Sequence, residues 1–389
     1  MFPDFEQTVK NLEALHLRRQ LRIVESPADT IAAIAGRKLI SMASNNYLGL
    51  ANHPAIKHAA IEAIEQWGVG AGAARLLSGT MPPHQQLEED LARFKHVEAV
   101  LTFGTGYTTN IGLIPVLIDQ DGLILADRYC HASLIEACRL AKAKFRVFHH
   151  NDAEHLETLL KKRKKDCQTL VVTEGVFSMD GDLSPLPDFV RLCQHYDATL
   201  LIDDAHGTGV MGENGRGTPE HFGLAPQDIL QMGTLSKAIG TSGGYVAGTA
   251  SLKEYLINTS KAFIYTTAPP PAIAAAASAA IEAIRNEPER RQRLWDNRNF
   301  LYAKLKGMGF QFTNTESPIL PIIVKSPETA LQMSQILYDA GIYVPAIRPP
   351  TVPKGSSRLR LTVSSEHTKG QLREVLATIQ KVGKDMRLI

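Results

Sequence analysis

The sequence predicts an α/β fold with a large, mostly parallel β-sheet flanked by helices and a smaller C-terminal α/β domain. Three observations lead to this class. Seven short apolar runs indicate strands, and most of them are separated by segments with helical periodicity. This alternation is typical of βαβ units around a buried parallel sheet. After the proline run 269–271, long helices and then a second, smaller α/β pattern follow.

The elements are predicted in chain order. The N-terminal segment favours an amphipathic helix that extends to about Arg22, and Pro54 and Gly68 supply the start and stop signals of the next long helix. The strands expected in the large sheet are AVLTF, LILAD, FRVFHH, TLVVTEG, TLLIDDAHG, ILQMGTLSK and GYVAG, and those in the smaller domain are ILPIIV and RLRLTV. We divide the chain into an N-terminal helical segment (1–45), a large domain (46–285) and a small C-terminal domain (286–389).

The composition argues against several classes of partner. The 42 Lys and Arg residues nearly balance the 40 Asp and Glu residues, so we expect no nucleic-acid or membrane partner. The four cysteines form no C-x-x-C pair, which favours a reduced, cytoplasmic setting. The N-terminal segment has no apolar core of a signal peptide, and the alanine-rich run AIAAAASAAIEAI is too short to span a bilayer. An anionic ligand would therefore need a local binding site.

The segment MGTLSKAIGTSGGYVAG (Met232 to Gly248) places a lysine, Lys237, among small and apolar residues. Lys237 follows a predicted strand and precedes a glycine-rich turn, so its amine is expected at a strand end facing a cleft. A crowded lysine amine is more readily deprotonated and forms Schiff bases with carbonyl cofactors such as pyridoxal 5′-phosphate (PLP). Thr234, three residues earlier, can offer a hydroxyl to a phosphate. A surface lysine in a loop is the alternative.

The segment LLIDDAHGTG contains Asp203 at the end of an apolar strand and His206 three residues later. A carboxylate there can pair with the protonated ring nitrogen of PLP and keep it cationic. His206 can hydrogen-bond the phenolate oxygen of the same cofactor. A metal site is the alternative, although no further ligand follows at the usual spacing. Asp204 fits a structural turn or cap better.

Two further turns follow predicted strands. FGTGYTTN leads from a strand into a helix at Gly106, where backbone N–H groups bind phosphate. His131 lies at another strand-to-helix junction, where an imidazole either stacks on a planar cofactor or caps the helix. Each signal is weak alone, but the ends of successive strands in one sheet meet at one edge. Together with Asp203 and Lys237 they predict a PLP site.

The chain resembles the α-oxoamine synthases, PLP-dependent enzymes of the fold-type-I, class-II aminotransferase group, over essentially its whole length. The motifs that carry the resemblance are SNNYLGL, HASL, VTEGVFSMDGD, DDAHGTGV, GTLSKA and RPPTVP. Members condense an amino acid with an acyl thioester and release CO2, so the resemblance implies an acyltransferase. It also implies a cytoplasmic homodimer with active sites at the subunit interface.

The resemblance implies a role for each matching residue. Lys237 would bind PLP covalently and later remove the Cα proton, and Asp203 would pair with the ring nitrogen. The other cofactor contacts would be His131 on the ring face, His206 and Ser178 at the phenolate oxygen, Gly106, Tyr107 and Thr234 at the phosphate, and Thr267 at the phosphate of the neighbouring subunit. The substrate contacts would be Asn45 and Arg360 at the amino-acid carboxylate, and Arg19 and Thr351 at the acyl group.

Within the family, PAIRPPTVPKGSSRLRLT (Pro345 to Thr362) is similar to the members that join L-alanine to a pimeloyl thioester, carried by CoA or a carrier protein, in biotin biosynthesis. Members that use glycine with acetyl-CoA, other α-oxoamine synthases and a non-catalytic subunit on the same scaffold are the alternatives. The chain departs from many relatives at Ala73 and Ala74, where they have serines. A substrate contact through a hydroxyl of this loop is therefore in doubt.

Overall fold

The structure is a computed structural model that describes residues 2–389. Its strands, in chain order, are β1 (Ile31–Ile34), β2 (Arg37–Ser41), β3 (Ala99–Phe103), β4 (Leu123–Asp127), β5 (Lys144–Phe148), β6 (Thr169–Glu174), β7 (Thr199–Asp203), β8 (Leu230–Thr234), β9 (Gly244–Gly248), β10 (Ile319–Lys325), β11 (Ile342–Tyr343), β12 (Ala346–Ile347) and β13 (Ser357–Thr362).

The α-helices are α1 (Phe5–Ala14), α2 (Pro54–Trp67), α3 (Pro82–Lys95), α4 (Gly106–Leu113), α5 (Ala132–Leu140), α6 (Ala153–Lys161), α7 (Leu186–His195), α8 (Thr218–His221), α9 (Ala250–Thr259), α10 (Lys261–Ile264), α11 (Pro271–Asn286), α12 (Glu289–Gly307), α13 (Pro327–Asp339) and α14 (Lys369–Asp385). None of the helices in residues 2–389 is long and apolar enough to cross a membrane.

The chain divides into two compact units. The large unit comprises Leu48–Ser178 and Leu183–Arg291. The small unit comprises the chain up to Tyr47 together with Met179–Asp182 and Gln292–Ile389. The three-part division predicted at residues 45/46 and 285/286 remains a prediction.

A seven-stranded sheet forms the centre of the large unit, in the order β3-β9-β8-β7-β6-β4-β5. β9 runs antiparallel to both of its neighbours, and the other strand pairs are parallel. Alternate residues of β4 belong to two separate apolar clusters. Ile124 lies in one cluster, and its neighbours Leu123 and Leu125 lie in the other. Both faces of the sheet are therefore buried, which explains why its strands are continuous apolar runs.

The small unit contains two three-stranded sheets, β1-β2-β11 and β10-β13-β12. β13 lies between β10 and β12 and is antiparallel to both. All six residues of β13 are buried, including its two arginines, Arg358 and Arg360. A strand buried on both faces thus carries two guanidinium groups, and each of them needs polar partners.

The N-terminal helix is shorter than the sequence predicts. The helix was expected to extend to about Arg22, but α1 ends at Ala14, and His16 adopts a left-handed conformation with a φ of 56°. No side chain of α1 is buried. Helices in proteins derive most of their stability from packing of an apolar face, so the amphipathic pattern alone does not extend this one.

Candidate active site

Lys237 lies in the loop, residues 235–243, that joins β8 to β9. β8 ends at Thr234, three residues before the lysine, and the loop is closed by hydrogen bonds from Leu235 N–H to the Gly243 carbonyl (3.0 Å) and from Thr241 N–H to the Leu235 carbonyl (2.9 Å). The lysine side chain is half-buried. The strand-end position inferred from the sequence is therefore the one that the structure shows.

The two adjacent glycines after the lysine allow close backbone contacts. Gly243 has a φ of 129°, which disfavours any residue with a Cβ atom. A Cβ on Gly244 would lie 2.8 Å from the Gly106 nitrogen and 2.3 Å from Thr109 Oγ1. β9 therefore passes directly against the first turn of α4 because its first residue has no side chain.

The start of α4 forms a polar cradle. Thr105 caps the helix by accepting a hydrogen bond from Thr108 N–H (3.0 Å), and the first helical residues are Gly106 and Tyr107. A Cβ on Gly106 would be 3.4 Å from Thr234 Oγ1, and this hydroxyl lies 2.8 Å from Ser236 Oγ. Backbone N–H groups at a helix start together with two nearby hydroxyls are suited to a phosphate, so the cradle fits the phosphate group of PLP.

Asp203, the last residue of β7, is buried and held by neighbouring groups. Its Oδ1 accepts a hydrogen bond from Ala205 N–H (3.0 Å), and its Oδ2 accepts one from the Asn110 side-chain amide (3.1 Å). The same amide donates to Ser133 Oγ at 3.0 Å. The carboxylate therefore has a fixed orientation at the end of its strand, as pairing with a cationic ring nitrogen would require.

His131 belongs to the same network. It caps α5, since its Nδ1 accepts a hydrogen bond from Ser133 N–H (3.2 Å) and lies 2.8 Å from Ser133 Oγ. An Nδ1 that accepts an N–H bond leaves the proton of the neutral imidazole on Nε2. The structural and functional interpretations of His131 are therefore compatible, because the cap fixes the ring through a single nitrogen, Nδ1.

Charges near His131 and Glu174 link the site electrostatically. Burial lowers the pKa of His131, the Asp203 carboxylate opposes this change, and the Lys237 ammonium adds to it. Burial raises the pKa of Glu174 well above its usual range, and the charge of Asp203 raises it further. Glu174 also accepts a hydrogen bond from His131 N–H at 2.6 Å. Lys237, Asp203, His131 and Glu174 thus act on one another within one region of the large unit.

Asp204 faces different partners from its neighbour Asp203. Its carboxylate is fully buried, forms an ion pair with Lys95 Nζ (3.3 Å) and accepts a hydrogen bond from Thr218 Oγ1 (2.8 Å). Both partners are distant from Asp204 in the sequence, so the structure shows a buried ion pair, and the local turn or cap role expected for Asp204 stays a prediction.

The remaining cofactor residues predicted in the large unit occupy turns and helix starts. His206 is buried in the turn after β7, and Ser178 is half-buried after β6. Tyr107 is 43% exposed and its hydroxyl donates to the Glu136 carboxylate. Thr267 is exposed, in a bridge with Ala74.

In the small unit, Arg360 and Asn45 are brought together although 315 residues separate them. The Arg360 guanidinium donates to Asn45 Oδ1 (3.2 Å) and to Thr362 Oγ1 (2.9 Å). Arg360 also hydrogen-bonds the buried Tyr47, where burial raises the pKa of the phenol to about 12 in spite of the opposing arginine. These contacts fix a planar cation of the kind that binds carboxylates through two parallel hydrogen bonds.

Arg19 and Thr351 also meet within the small unit. The Arg19 guanidinium donates to Thr351 Oγ1 at 3.3 Å. Arg19 is exposed and lies beyond the end of α1, in a segment without helix or strand. The two residues that the resemblance assigns to the acyl group are therefore in contact.

Sequence reasoning missed three polar residues of the large-unit site. Asn110 lay inside the quoted segment FGTGYTTN without a role, yet its side-chain amide links Asp203 to Ser133. Glu174 lay inside a quoted motif without a role. Ser236 adjoins Lys237 and contacts the Thr234 hydroxyl. A polar residue one turn into the predicted helix after Gly106 was the available signal for Asn110, since that position faces the sheet.

Comparison with known proteins identifies the group to which this chain is similar. The model of the family "Aminotransferase class I and II" matches residues 37–379. The 8-amino-7-oxononanoate synthase of Thermoanaerobacter pseudethanolicus is 44% identical over 385 residues, which cover 99% of this chain and 98% of that protein.

Two solved structures extend the comparison. A serine palmitoyltransferase solved with PLP as the internal aldimine superposes with a TM-score of 0.95 at 33% identity, covering all of both chains. The 8-amino-7-oxononanoate synthase of Francisella tularensis superposes with a TM-score of 0.77 at 29% identity, covering 90% of this chain and 99% of that chain. These matches confirm the predicted fold class, the resemblance to α-oxoamine synthases and PLP as the cofactor. The chain therefore belongs to the class I and II aminotransferase family of PLP-dependent enzymes and, within it, to the 8-amino-7-oxononanoate synthase group.

Proposed function

We propose that this chain condenses L-alanine with a pimeloyl thioester, with loss of CO2, in biotin biosynthesis. One observation carries the proposal: relatives named 8-amino-7-oxononanoate synthase are 41–44% identical over at least 98% of the chain. The site supports the same chemistry, because a turn lysine, a buried strand-end carboxylate and a phosphate cradle occur in one unit. CoA and a carrier protein are both candidates for the acyl carrier.

The large unit would hold PLP. The start of α4 and the Thr234 hydroxyl would bind the phosphate, Asp203 would pair with the ring nitrogen, and His131 would lie on the ring face. His206 and Ser178 would hydrogen-bond the phenolate oxygen. When bound, PLP supplies an electron sink that stabilises negative charge at the amino-acid Cα.

Lys237 would act on the cofactor and then on the substrate. Its amine would bind the cofactor covalently and, once released, would take the proton from Cα. The hydrogen-bonded loop between β8 and β9 restricts where along the chain this amine can act. Thr234, three residues earlier, would fix the phosphate with respect to the lysine.

Arg360 and Asn45 would bind the carboxylate of the amino acid. Asn45 Oδ1 and Thr362 Oγ1 already orient the guanidinium, so little side-chain entropy would be lost on binding. The carboxylate later leaves as CO2, which is uncharged, so the arginine would favour the reactant and release the product. Arg19 and Thr351 would contact the acyl group.

The resemblance also supports a cytoplasmic homodimer. Thr267 is exposed, which leaves its hydroxyl accessible to a second copy of the chain. We propose that it contacts the cofactor phosphate of the neighbouring subunit, so that each active site requires both copies. Equilibrium sedimentation of the purified protein would measure the oligomeric state.

A substrate panel tests the proposed function. Purified protein loaded with PLP is incubated with alanine, glycine or serine and with pimeloyl-, acetyl-, succinyl- or palmitoyl-CoA, and CO2 release is measured. We expect the highest kcat/KM for alanine with pimeloyl-CoA. Turnover confined to glycine with acetyl-CoA, or to serine with palmitoyl-CoA, would contradict the assignment, and turnover with no pair would favour a non-catalytic subunit.

A further inference from the structure

A cavity of about 250 Å³ in the large unit has a strongly basic lining. Within residues 2–389, no carboxylate side chain lines it. Its volume is below the range of about 300–1,000 Å³ that is usual for sites of organic small molecules, so the cavity suits a small ion. The polar lining residues are Arg93, His96, Asn214, Arg216, Arg285 and Arg291.

The cavity is separate from the phosphate cradle of the proposed PLP site. Arg93 and His96 lie at the end of α3, immediately before β3, whereas the cradle at Gly106 follows β3. The five residues of β3 extend over roughly 15 Å. His96 and Gly106 therefore lie at opposite ends of one strand, and an ion in this cavity would not compete with PLP.

Arg291 is the buried cation of the cavity, with 7% of its surface exposed. Its guanidinium donates to the carbonyls of Ile284 (2.7 Å) and Glu213 (2.9 Å), and it forms no ion pair with a carboxylate in residues 2–389. Burial lowers the pKa of Arg291, and the charges of Glu220 and Glu289 oppose this change. A buried guanidinium without a paired carboxylate costs free energy that a bound anion would offset.

The other arginines differ in whether an acid already pairs with them. Arg93 forms an ion pair with Asp90, and Arg216 Nη1 lies 3.4 Å from Glu220 Oε1. Arg285, in the last turn of α11, is exposed and forms no ion pair in residues 2–389. The four arginines and the two paired carboxylates together leave two positive charges, which match the charge of a dianion.

The helix dipole explains the position of only some of these arginines. Arg93 and Arg285 lie in the last turns of α3 and α11, where a cation stabilises the helix. Arg291 is the third residue of α12, where the dipole disfavours a cation, and Arg216 lies in the loop between β7 and α8. An anion would be stabilised both by the start of α12 and by the guanidinium groups.

We propose that this cavity binds a phosphate group, as the free ion or as the end group of a phosphomonoester, and that the bound group stabilises the large unit. The proposal goes beyond the proposed function and does not depend on it. Arginines from four separate segments line the cavity, which suits the tetrahedral oxygens of phosphate better than the two oxygens of a planar carboxylate. The ion would connect the end of α3, the loop before α8 and the junction of α11 with α12.

Calorimetric titration of PLP-loaded protein with sodium phosphate tests the site, with sodium chloride holding the ionic strength constant. Because PLP occupies the cradle, the titration reports on other sites. We expect one phosphate per chain, and we expect Arg285→Gln to raise the dissociation constant by roughly 10- to 150-fold, the range for losing a hydrogen bond to a charged group. Arg291→Gln should raise it as well, but this variant also loses the contacts with two backbone carbonyls.

Arg139→Gln is the matched control for Arg285→Gln. Arg139 is an exposed arginine in the last turn of α5, in the same unit, and does not line the cavity. Its substitution should leave the dissociation constant within about twofold. Equal effects of the two variants, or no binding of phosphate, would overturn the proposal. Loss of the cofactor's absorbance on addition of phosphate, with unchanged affinity in Arg285→Gln, would place the ion in the cradle and also overturn it.

Two further probes define the chemical class of the ligand. Glycerol 3-phosphate presents the phosphate as a monoester, and malonate presents two carboxylates in its place. Tighter binding of phosphate or glycerol 3-phosphate than of malonate supports a phosphate site, and the tighter of the first two identifies the free ion or the monoester as the better ligand. Binding of malonate as tightly as either phosphate compound would contradict the proposal.

Thermal unfolding of the PLP-loaded protein gives an independent readout. A ligand that binds only the folded state raises the Tm. Phosphate should therefore raise the Tm of the unsubstituted protein and of Arg139→Gln, and have little effect on Arg285→Gln. Equal shifts in all three proteins would mean that phosphate acts without this cavity, which would overturn the proposal. Failure of the proposed function would leave these results unchanged, because none of the measurements uses turnover.

Discussion

The large and small units position their functional side chains in different ways. In the large unit, Asp203 ends a central strand and Lys237 follows another, and buried hydrogen bonds hold the groups around them. In the small unit, Arg360 lies within a buried strand, but Arg19 lies in a segment with neither helix nor strand. The comparison teaches that the proposed cofactor groups are fixed by the sheet, whereas the proposed acyl contacts depend on an exposed segment.

The difference has a physical origin in how polar groups are supported. A buried carboxylate such as Asp203 must be hydrogen-bonded, so the fold supplies Asn110 and Ala205 as partners. An exposed arginine such as Arg19 remains solvated and needs no such support. We therefore expect substitutions in the large unit to affect chemistry or folding strongly, and substitutions of exposed charges in the small unit to act through specific ligands.

The largest effect is expected at Lys237, where the comparison is easiest to break. Lys237→Ala removes the proposed covalent attachment and the proposed base, and general-base catalysis alone contributes roughly 10²- to 10⁴-fold. We expect kcat to fall by at least about 10³-fold. Borohydride reduction followed by peptide mass spectrometry should find the cofactor attached to residue 237 in the unsubstituted protein and to no residue in the variant.

Lys142→Ala is the control for this prediction. Lys142 is an exposed lysine of the same unit, and its removal should leave both the labelling and kcat within about twofold. Labelling of another lysine in the unsubstituted protein, or near-normal turnover by Lys237→Ala, would show that the acting amine lies elsewhere.

The comparison between the two units can be sharpened by breaking a buried ion pair in one and an exposed ion pair in the other, and measuring the loss of stability. Lys95→Met should leave Asp204 charged and unpaired in the core of the large unit, and such a loss costs about 3–5 kcal/mol of unfolding free energy. Lys10→Met breaks an exposed pair with Glu6 in the small unit and should cost less than about 1 kcal/mol. Urea unfolding of the two variants measures both values.

The double variant Lys95→Met/Asp204→Asn provides the internal check. It removes the unpaired charge and should regain part of the stability that Lys95→Met loses. Equal costs for the buried and the exposed pairs would mean that burial does not distinguish the two units in the way proposed.

The site residues that sequence reasoning proposed most directly are those whose position in the fold is determined by local pattern. Apolar runs located the strands of the large sheet, and Asp203 and Lys237 follow directly from where β7 and β8 end. The hydrogen bond from Asn110 to Asp203 joins residues 93 positions apart, and the contact of Arg348 with the His16 carbonyl spans 332 positions. Neither can be predicted without the tertiary structure, because each depends on which elements pack together.

The end of α1 illustrates a second limit. The periodic pattern continues to about Arg22, but the helix ends before its C-cap residue Leu15. No side chain of α1 is buried, so no packing stabilises a longer helix. Periodicity reports which face could be buried and not whether a partner surface exists.

Asn110 offers an intermediate effect and tests whether the sheet holds Asp203 through this amide. Asn110→Ala removes a hydrogen bond to a charged group, which contributes roughly 1.5–3 kcal/mol. We expect kcat/KM to fall by roughly 10- to 150-fold, and the dissociation constant for PLP, measured by absorbance titration, to rise.

Asn258→Ala is the control for Asn110, since its side-chain amide contacts Glu254 on the exposed surface of α9. It should change neither quantity. If Asn110→Ala lowers only the midpoint of thermal unfolding and leaves PLP affinity unchanged, Asn110 supports the fold and does not position Asp203.

The smallest effect is expected from Glu174 and appears as a pH dependence. Burial, followed by the Asp203 charge, raises the pKa of Glu174 well above its usual value of 4.5 in the folded protein. Above that usual value the unfolded chain has released a proton that the folded protein still binds, so rising pH favours unfolding. In cofactor-free protein this lowers stability by up to about 1.4 kcal/mol per pH unit until the pKa of the folded state is reached.

Glu174→Gln has no proton to release and should flatten this part of the decline, which urea unfolding of cofactor-free protein between about pH 5 and pH 7 would measure. Glu65→Gln, at an exposed carboxyl on α2, should leave the slope unchanged. Equal slopes for Glu174→Gln and the unsubstituted protein would mean that Glu174 is ionised beside Asp203 in the absence of cofactor. The large unit would then hold two negative charges at the end of its sheet, and the environment that orients Asp203 would be more polar than its burial indicates.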